Sequence, residues 1–500
     1  MNDLTLLLPE FLLAALAIAV LSADLGFPNR LNLMLPIMAV IGLIALFGFS
    51  LIFLWGTTDS LYGGSLVVDG YSVFFKAFAI LLGIVVVLSS MEYVKRHLEH
   101  PGEYYGILLF TVLAMMLMAA SGELLTAYIS LELLSFGLYV LVSFDRYNPK
   151  SNEAGVKYIL LGAFSSALLL YGISQIYGQL GTTRFKEISE VIMSLPDQNL
   201  GLQVGLVFLI AGLGFKVAAV PFHMWAPDVY EGAPVPVTAY LSVGSKAAAF
   251  VLVIRIFIEA LLPAIEDWQI IMAVGAALTM MLGNIVAVVQ TNIKRLLAYS
   301  SIGHVGYLLL GVAALASVDG NGDISVELSR LAISGILFHI VAYAIANMAA
   351  FLCIGTVYNI SGKDGIEDFT GLAKRSPGMA MVMTAALFSL AGLPIFAGFT
   401  SKFYLFSVAA VQGLLWLAGI AIFTSLISLY YYLMVIRRMY IESTEDELPI
   451  QLPRLTSGLL AVLFLGIVLL GIYPAPLMEV IYYASDAVLS SESVVGLISN

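Results

Sequence analysis

Apolar stretches long enough to cross a membrane recur along the whole of this 500-residue chain. Because a spanning helix needs about 20 mainly apolar residues, we count about fourteen candidate spans. They lie near residues 4–23, 31–55, 71–90, 104–120, 123–144, 154–179, 201–222, 237–262, 268–290, 297–317, 329–359, 379–411, 412–438 and 456–477. Hydrophobic residues make up 61% of the chain and charged residues 11%, too few to cover a soluble globule. The sequence therefore predicts an all-α polytopic membrane protein.

Two of these stretches, 329–359 and 379–411, are overlong for one straight crossing. The second contains Gly392, Pro394 and Gly398, residues that commonly interrupt a helix. Broken helices are a feature of ion transporters, where they bring polar backbone to membrane depth. We therefore predict a discontinuous helix between residues 379 and 411.

The letters AGL precede an intramembrane lysine twice, in AGLGFK (211–216) and in AGLPIFAGFTSK (391–402). This echo indicates an internal repeat. Five helices from about 104 and five from about 268 would form two units of opposite topology, the inverted-repeat plan of transporters. The predicted organisation is one membrane domain (1–500) with an N-terminal three-helix unit (1–103), a first repeat (104–262), a second repeat (268–438) and a C-terminal helix and tail (439–500).

Basic residues are distributed unevenly among the loops. When the spans are counted in order, the odd-numbered loops hold Arg30, Lys95, Arg96, Arg146, Lys150, Lys294, Arg295, Lys363, Lys374, Arg375, Arg437, Arg438 and Arg454. The even-numbered loops hold little beyond Arg184, Lys186 and Arg330. By the positive-inside rule the odd-numbered loops face the cytoplasm, which predicts that both termini lie outside.

Four charged residues stand inside otherwise apolar stretches: Glu132, Lys216, Lys246 and Lys402. A charge at the centre of a bilayer costs roughly 2.5 to 3.5 kcal/mol on insertion scales, so such residues usually have a function. Several of them in one chain predict a path for an ion. The strongest candidate pair is Glu132 with Lys216, because a neighbouring carboxylate favours the charged form of a lysine. Lys246 is then the relay toward Lys402.

Polar residues follow one edge of several predicted helices at helical spacing. These sets are Glu132 with Tyr128, Ser135 and Tyr139; Ser242 with Lys246; Ser300 with His304 and Tyr307; His339 with Tyr343 and Asn347; and Thr424 with Ser428 and Tyr431. Five such edges would line a shared hydrated axis, or the hydroxyls and amides would only hold helices together. His304 has the same two interpretations, a proton relay near neutral pH or a structural residue. The case for His339 is weaker.

Other classes of protein are disfavoured by what the sequence contains. Its one cysteine, Cys353, lies in an apolar stretch and cannot by itself form a disulfide or a metal-thiolate site. GLGFKV and VGSKAAA have the wrong spacing for a dinucleotide or ATP-phosphate loop. The net charge of −11 and the acidic segment at 442–447 argue against nucleic-acid binding.

The stretch FKVAAVPFHMWAPDVYEGAPVPVTAYLSVGSKAAA (215–249) resembles the proton-conducting membrane subunits of respiratory complex I, NADH:quinone oxidoreductase. These proteins are related to subunits of multi-subunit sodium/proton antiporters. The similarity covers nearly the full length of the chain. PDVYEGAPVPVT (227–238), with a lysine rather than a glutamate at 402, indicates one particular branch of the group.

The resemblance implies an antiporter-like fold of two inverted five-helix repeats, with discontinuous helices seven and twelve. It matches Glu132, Lys216, Lys246 and Lys402 to the family's charged positions in helices five, seven, eight and twelve. His304 falls in a helix-ten motif that often holds a polar relay, whereas His339 matches no strong family pattern.

The family also sets expectations about cofactors and partners. It carries no redox centre in this subunit, so NADH, FMN, iron-sulfur clusters and quinone are expected in partner subunits. Other antiporter-like subunits and small helical subunits are the expected neighbours, in the lipid bilayer of a bacterial inner membrane.

The function expected from the sequence is proton translocation coupled to quinone reduction elsewhere in a complex. Three alternatives stay open: a sodium/proton antiporter subunit on the same fold, a subunit of a ferredoxin-driven or photosynthetic relative of complex I, and a structural subunit with a vestigial channel. The retention of four intramembrane charges argues against the last.

Overall fold

The computed structural model describes residues 3–26, 33–194, 199–315, 325–442 and 449–490. Within these ranges, thirteen helices are long and apolar enough to cross a membrane. Two shorter apolar helices, Pro377–Ala391 and Ala397–Val411, follow one another as the halves of a further span. The predicted all-α membrane fold is confirmed.

The described residues form twenty-one α-helices. They are α1 (Asp3–Leu6), α2 (Leu8–Gly26), α3 (Met34–Phe49), α4 (Gly70–His97), α5 (Pro101–Ala120), α6 (Leu124–Val142), α7 (Pro149–Leu180), α8 (Phe185–Ser194), α9 (Leu200–Val217), α10 (Trp225–Gly232), α11 (Val235–Tyr240), α12 (Lys246–Arg255), α13 (Ile265–Ala287), α14 (Ile293–Ala313), α15 (Val326–Ser361), α16 (Leu372–Arg375), α17 (Pro377–Ala391), α18 (Ala397–Val411), α19 (Leu415–Tyr440), α20 (Arg454–Ile472) and α21 (Ala475–Leu489).

Short elements complete the architecture. The strands β1 (Asp59–Leu61) and β2 (Leu66–Val68) form an antiparallel pair in which Ser60 lies opposite Val67. A π-helical turn, Leu241–Ser245, joins α11 to α12, and a second one, Ile256–Ala260, follows α12. These four pieces make one continuous eighth span.

Helix ends follow the local sequence. Asn148, Asn292 and Ser325 precede α7, α14 and α15, and each side chain accepts a hydrogen bond from a backbone N–H in the first turn. Gly181 and Gly362 end α7 and α15 in the left-handed conformation that glycine adopts without strain. Between these ends, the helices satisfy their own backbone groups, as lipid requires.

Two spans are interrupted at membrane depth. The seventh consists of α9 and α10 with residues 218–224 between them, and the twelfth of α17 and α18 with residues 392–396 between them. Gly392 ends α17 with a φ of +86°. The predicted break within 379–411 is confirmed, whereas the other overlong stretch, 329–359, lies in one continuous helix, α15.

The breaks recur at the same place in two sets of helices. The first set is α5, α6, α7, the broken α9 and α10, and the eighth span; the second is α13, α14, α15, the broken α17 and α18, and α19. Each set has three helices, a discontinuous fourth span and a fifth helix. This order is the one expected for the two repeats, whose residue boundaries remain predictions.

Loops that, together with the helix ends beside them, carry most of the basic residues lie at one end of the bundle. Asn292 pairs with Gly365, and the N–H of Gly371 donates to the carbonyl of Arg438 at 3.1 Å. We call this end the basic-loop side; it is formed by residues 98–100, 143–148, 288–292, 362–376, 441–442 and 449–453. Arg30, and residues 443–447 of the acidic segment, lie outside the described residues.

The even-numbered loops meet at the opposite end. There Leu66 pairs with Ser121, and Glu123 pairs with Arg184. The described odd- and even-numbered loops therefore lie at opposite ends of the bundle, as successive crossings require.

The eighth span lies at the centre of the bundle. Every residue from 233 to 262 is buried, whereas α2, α3 and α20 keep broad exposed apolar faces. A charged side chain on the eighth span must therefore find its partners within the protein.

The start of α18 packs closely against the end of α17, and Gly398 makes this possible. A Cβ atom at this position would lie 1.7 Å from the carbonyl oxygen of Ser389. We expect Gly398→Ala to lower the thermal unfolding temperature of the purified subunit, because overpacking typically costs about 1–3 kcal/mol. Gly378→Ala in α17 is the matched control, since a Cβ there meets nothing within 4 Å. Equal unfolding temperatures for the two variants would contradict this packing.

Candidate functional site

The four charged residues of the predicted ion path all point into the bundle. Lys216, Lys246 and Lys402 are 9%, 3% and 4% exposed, and the Glu132 side chain is 14% exposed. They lie on α9, α12, α18 and α6, respectively. None of them faces lipid, so each depends on polar partners from neighbouring helices.

Glu132 and Lys216 form a buried ion pair. The ammonium of Lys216 lies 3.0 Å from Oε1 of Glu132 and donates to the hydroxyls of Ser135 at 2.8 Å and Ser166 at 3.2 Å. Ser166, on α7, donates to the same carboxylate oxygen at 2.6 Å. Three helices thus converge on one lysine, and the predicted pair is in contact.

Lys246 has hydroxyl partners and lies beside an aromatic ring. Its ammonium donates to the Ser301 hydroxyl, which lies 2.6 Å from the Tyr343 hydroxyl. The amide of Asn347 donates to the hydroxyls of both Tyr343 and Ser242, so these hydrogen bonds lead back to the eighth span, which contains Ser242. The Tyr230 ring centre lies 5.5 Å from the ammonium.

Two histidines continue the polar line toward the twelfth span. Nδ1 of His304 lies 3.1 Å from Nε2 of His339, and Nδ1 of His339 lies 3.0 Å from the Ser401 hydroxyl. The His304 ring centre is 5.0 Å from that of Tyr343, next to the Lys246 partners. A neutral imidazole donates from one nitrogen and accepts at the other, so this chain is suited to passing a proton along. His339, which the sequence left without a clear role, lies in the middle of it.

Lys402 uses the break in the twelfth span. Its ammonium donates to the carbonyl of Ala391 at 3.0 Å and to the Ser425 hydroxyl at 2.9 Å. Ala391 is the last residue of α17, where the helix break leaves carbonyls without partners in the same helix. The Tyr307 ring centre lies 4.8 Å from the ammonium. The second half-helix thus carries the lysine, and the first half supplies its acceptor.

The polar groups fall into two stretches. One joins Glu132 and Lys216. The other begins with hydrogen bonds that join Lys246 to Ser301 and Ser301 to Tyr343. A ring contact between Tyr343 and His304 leads on to the histidine pair and Ser401, the residue before Lys402. In the part of the chain that the structure describes, no hydrogen bond joins the Lys216 partners to the Lys246 partners.

An ion-pair network covers this region on the basic-loop side. Asp228 on α10 pairs with Lys157 at 2.8 Å and with Arg295 at 2.7 Å. Glu231 pairs with Arg295 at 3.2 Å and with Lys150 at 3.3 Å. These five side chains line a cavity of about 210 Å³. The half-helix α10 is therefore held between α7 and α14, with polar space beside it.

Two buried ionic groups lie apart from this line and were not predicted from the sequence. Lys76 and Glu10 pair at 2.7 Å between α4 and α2. Arg255 donates to both carboxylate oxygens of Asp69, at 2.9 and 3.0 Å, and to Glu259 at 2.8 Å. The available signal was a charge inside an apolar stretch, in YSVFFKAFAILL and in VLVIRIFIEA.

The small polar partners were also missed. Ser166, Ser301, Ser401 and Ser425 contact the site, whereas the neighbouring Ser300, named in the sequence analysis, bonds to Tyr432. Ser401 and Ser425 stand next to Lys402 and Thr424 in the sequence. Adjacent residues on a helix face different directions, so only the tilt and rotation of each helix decide which one reaches the site.

Comparisons with known proteins agree with this architecture. A family model described as NADH:quinone oxidoreductase/Mrp antiporter, TM, matches residues 121–428, a range that contains all four charged positions. NADH-quinone oxidoreductase subunit N of Desulforamulus reducens is 40% identical over 487 residues, covering 97% of this chain and 99% of that protein.

Solved structures show the same fold. A chain of respiratory complex I from Thermus thermophilus has a TM-score of 0.77 and 29% identity, covering 94% of this chain and 98% of that chain. A chain of the Mrp complex from Dietzia sp. DQ12-45-1b has a TM-score of 0.85 over the whole of both chains, at 18% identity, which is a likeness of fold alone.

The chain therefore belongs to the NADH:quinone oxidoreductase/Mrp antiporter family of membrane proteins. Within this family it groups with subunit N of NADH-quinone oxidoreductase, respiratory complex I.

The two members of the Glu132–Lys216 ion pair should depend on each other for the stability of the protein. Removing one partner of a buried ion pair costs about 3–5 kcal/mol, because the other charge is left uncompensated, whereas replacing both with apolar residues is often neutral. We expect Glu132→Leu and Lys216→Met each to lower the thermal unfolding temperature, and the double variant to recover most of that loss.

Lys402→Met combined with Glu132→Leu is the control, since these residues lie in different sets and their effects should add. Additive losses for Glu132→Leu and Lys216→Met would show that the two side chains do not depend on each other.

Proposed function

We propose that this subunit translocates protons across the membrane along the buried line of groups from Glu132 to Lys402. One observation carries the proposal: the four charged groups of this line all face the interior, and two histidines and several hydroxyls lie between Lys246 and Lys402. Intramembrane ionisable groups that face a bundle interior typically mark ion or proton pathways.

The chemistry needs only groups that gain and lose protons. Lys216 holds its proton while Glu132 is beside it, and gives it up when that carboxylate moves away or is neutralised. The proton then crosses a water-filled gap between Lys216 and Lys246 and binds to Lys246. From there it passes toward Lys402 through Ser301, Tyr343 and the His304–His339 pair. Release of the proton from Lys402 completes one transfer.

The free energy comes from other subunits. This chain acts as a non-redox subunit of the quinone-reducing complex, and NADH, FMN, iron-sulfur clusters and quinone belong to its partners. Quinone reduction alters the charge near one end of the line and shifts Glu132 relative to Lys216. This is a coupling between distant sites that requires two states of the ion pair.

The orientation follows from the basic-loop side. We place that side in the cytoplasm and both termini outside, in a bacterial inner membrane, because cytoplasmic loops carry the excess of Lys and Arg. Protons then enter near the ion-pair network around α10.

The sodium/proton antiporter alternative shares the fold, as the likeness to the Mrp complex supports. Full-length relatives at about 40% identity are named as subunit N, which favours the complex I role.

Loss of either member of the first ion pair should stop proton pumping. We expect Lys216→Ala and Glu132→Ala each to lower the initial pumping rate and the coupled quinone reductase rate to about a tenth or less, since positioned proton-transfer groups contribute about 100-fold or more. The measurement is NADH-driven acidification of inverted membrane vesicles that contain the assembled complex. Lys363→Ala, at an exposed lysine, is the control. Full pumping in both variants would rule the mechanism out.

Topology can be tested with single cysteines. Cys353 is buried, so a Cys353→Ser background gives a chain without native thiols. We expect Ser60→Cys to react with a membrane-impermeant maleimide in intact spheroplasts, and Lys363→Cys only in inverted vesicles, because these exposed residues lie at opposite ends of the bundle. The reverse labelling pattern would show that the basic-loop side faces outside.

A further inference from the structure

The break of the twelfth span lies against the last turn of α20, the fourteenth span. A Cβ atom at Gly471 would lie 2.0 Å from the carbonyl oxygen of Ile395 and 2.5 Å from the carbonyl carbon of Phe396, so only glycine allows this approach. Near the start of α18, the Thr400 hydroxyl donates to the carbonyl of Gly471 at 3.4 Å. α20 thus contacts both the break and the half-helix that follows it.

Ile395 has a backbone conformation that isoleucine rarely adopts. Its φ is +80°, in the left-handed region, where a β-branched side chain is strained. The side chain is 63% exposed, so its own packing does not hold the residue there. Such a conformation persists only when the surrounding structure fixes the backbone. The close contact between its carbonyl and Gly471 supplies such a restraint.

The same break connects Lys402 to its acceptor. Residues 392–396 join Ala391, whose carbonyl accepts a hydrogen bond from the Lys402 ammonium, to α18, which carries the lysine. A Cβ atom at Gly392 would lie 2.8 Å from Cδ of Lys402, so the lysine side chain itself lies against the break. A displacement of the break therefore moves the ammonium relative to its acceptor.

We propose that α20 positions Lys402 through the contact of Gly471 with the twelfth-span break, so that this helix, which lies outside both repeats, helps to set the proton affinity of the lysine. Gly471 is a positioning residue, since it acts through residues 395 and 396. With the break in place, the Ala391 carbonyl stabilises the ammonium; when the break is displaced, the lysine loses its proton more readily. This inference rests on the proposed function, in which Lys402 carries protons.

Two glycines of α20 provide a matched test. Gly471→Ala places a methyl group against the break, whereas a Cβ atom at Gly458 meets nothing within 4 Å. Alanine is a better helix former than glycine, so a loss in Gly471→Ala comes from the contact and not from the helix. We expect Gly471→Ala to slow NADH-driven pumping by about fivefold or more relative to Gly458→Ala, because misplacing a reacting group by about 1 Å can cost about a hundredfold in rate.

The pH dependence of pumping separates positioning from stability. In Gly471→Ala the decline of pumping on the alkaline side should begin about one pH unit lower than in Gly458→Ala, because a hydrogen bond to a charged group is worth about that much.

The titratable groups that face Lys402 from other helices are the same in both variants. They are Tyr307 and His304 on α14 and His339 on α15. α17 contains no titratable residue, α20 contains only Arg454 at its start, and α19 contacts the ammonium through a serine hydroxyl.

A second variant leaves the glycine in place. Thr400→Val removes the hydroxyl that links α18 to α20, and its control, Ser407→Ala, removes a hydroxyl that bonds within α18. We expect Thr400→Val to shift the pH dependence in the same direction as Gly471→Ala, by a smaller amount. Ile395→Gly should restore part of the pumping lost in Gly471→Ala, because glycine lets the carbonyl move away from the added methyl group without strain.

The inference is wrong if Gly471→Ala and Thr400→Val have the pH dependence of their controls while Lys402→Ala does not pump. Slower pumping in Gly471→Ala with an unchanged pH dependence would likewise contradict it, since that result indicates a structural role alone. If Gly471→Ala does not assemble into the complex, the comparison of Thr400→Val with Ser407→Ala decides. Normal pumping in Lys402→Ala would instead overturn the proposed function itself.

Discussion

A charged side chain in the middle of a bilayer needs polar partners inside the protein, and this requirement organises the molecule. Lys216 is met by a carboxylate and two hydroxyls, Lys246 by a hydroxyl chain, and Lys402 by a backbone carbonyl and a serine. Each lysine draws together at least two helices. Hydroxyls and carboxylates that bind an ammonium can also exchange protons, so the proposed proton route uses the same groups that stabilise the buried lysines.

The helix breaks serve the same requirement. A regular helix uses its carbonyls internally and has none to offer a lysine. Ending α17 at Ala391 exposes a carbonyl that accepts a hydrogen bond from Lys402, and ending α9 at Val217 leaves the Phe215 carbonyl to accept one from the indole N–H of Trp225. Irregular backbone at membrane depth is tolerated here because it is buried in protein.

The free-energy cost of burying a charge does not by itself identify a proton route. Lys76 and Arg255 are as deeply buried as Lys246, yet their partners are carboxylates on neighbouring helices, and they lie outside the line of histidines and hydroxyls. We interpret them as contacts that hold α2, α4 and the eighth span together. The rule that intramembrane charge signals function therefore does not distinguish the predicted transfer groups from these structural contacts, and our assignment of the two roles depends on their three-dimensional partners.

The sequence by itself determined the membrane fold, the break in the twelfth span and the separation of basic from other loops. Length, apolar content and the glycine–proline pattern are local properties that survive in any packing. It also indicated Glu132 and Lys216 as a pair, because an unpaired charge in lipid is too costly. Only the tertiary structure decided that Ser301 rather than Ser300 contacts Lys246, that His339 lies between His304 and Ser401, and that Gly471 lies against the twelfth-span break. These contacts depend on how far each helix is rotated and tilted against its neighbours, which is set by side-chain packing summed over the whole bundle and not by any one segment.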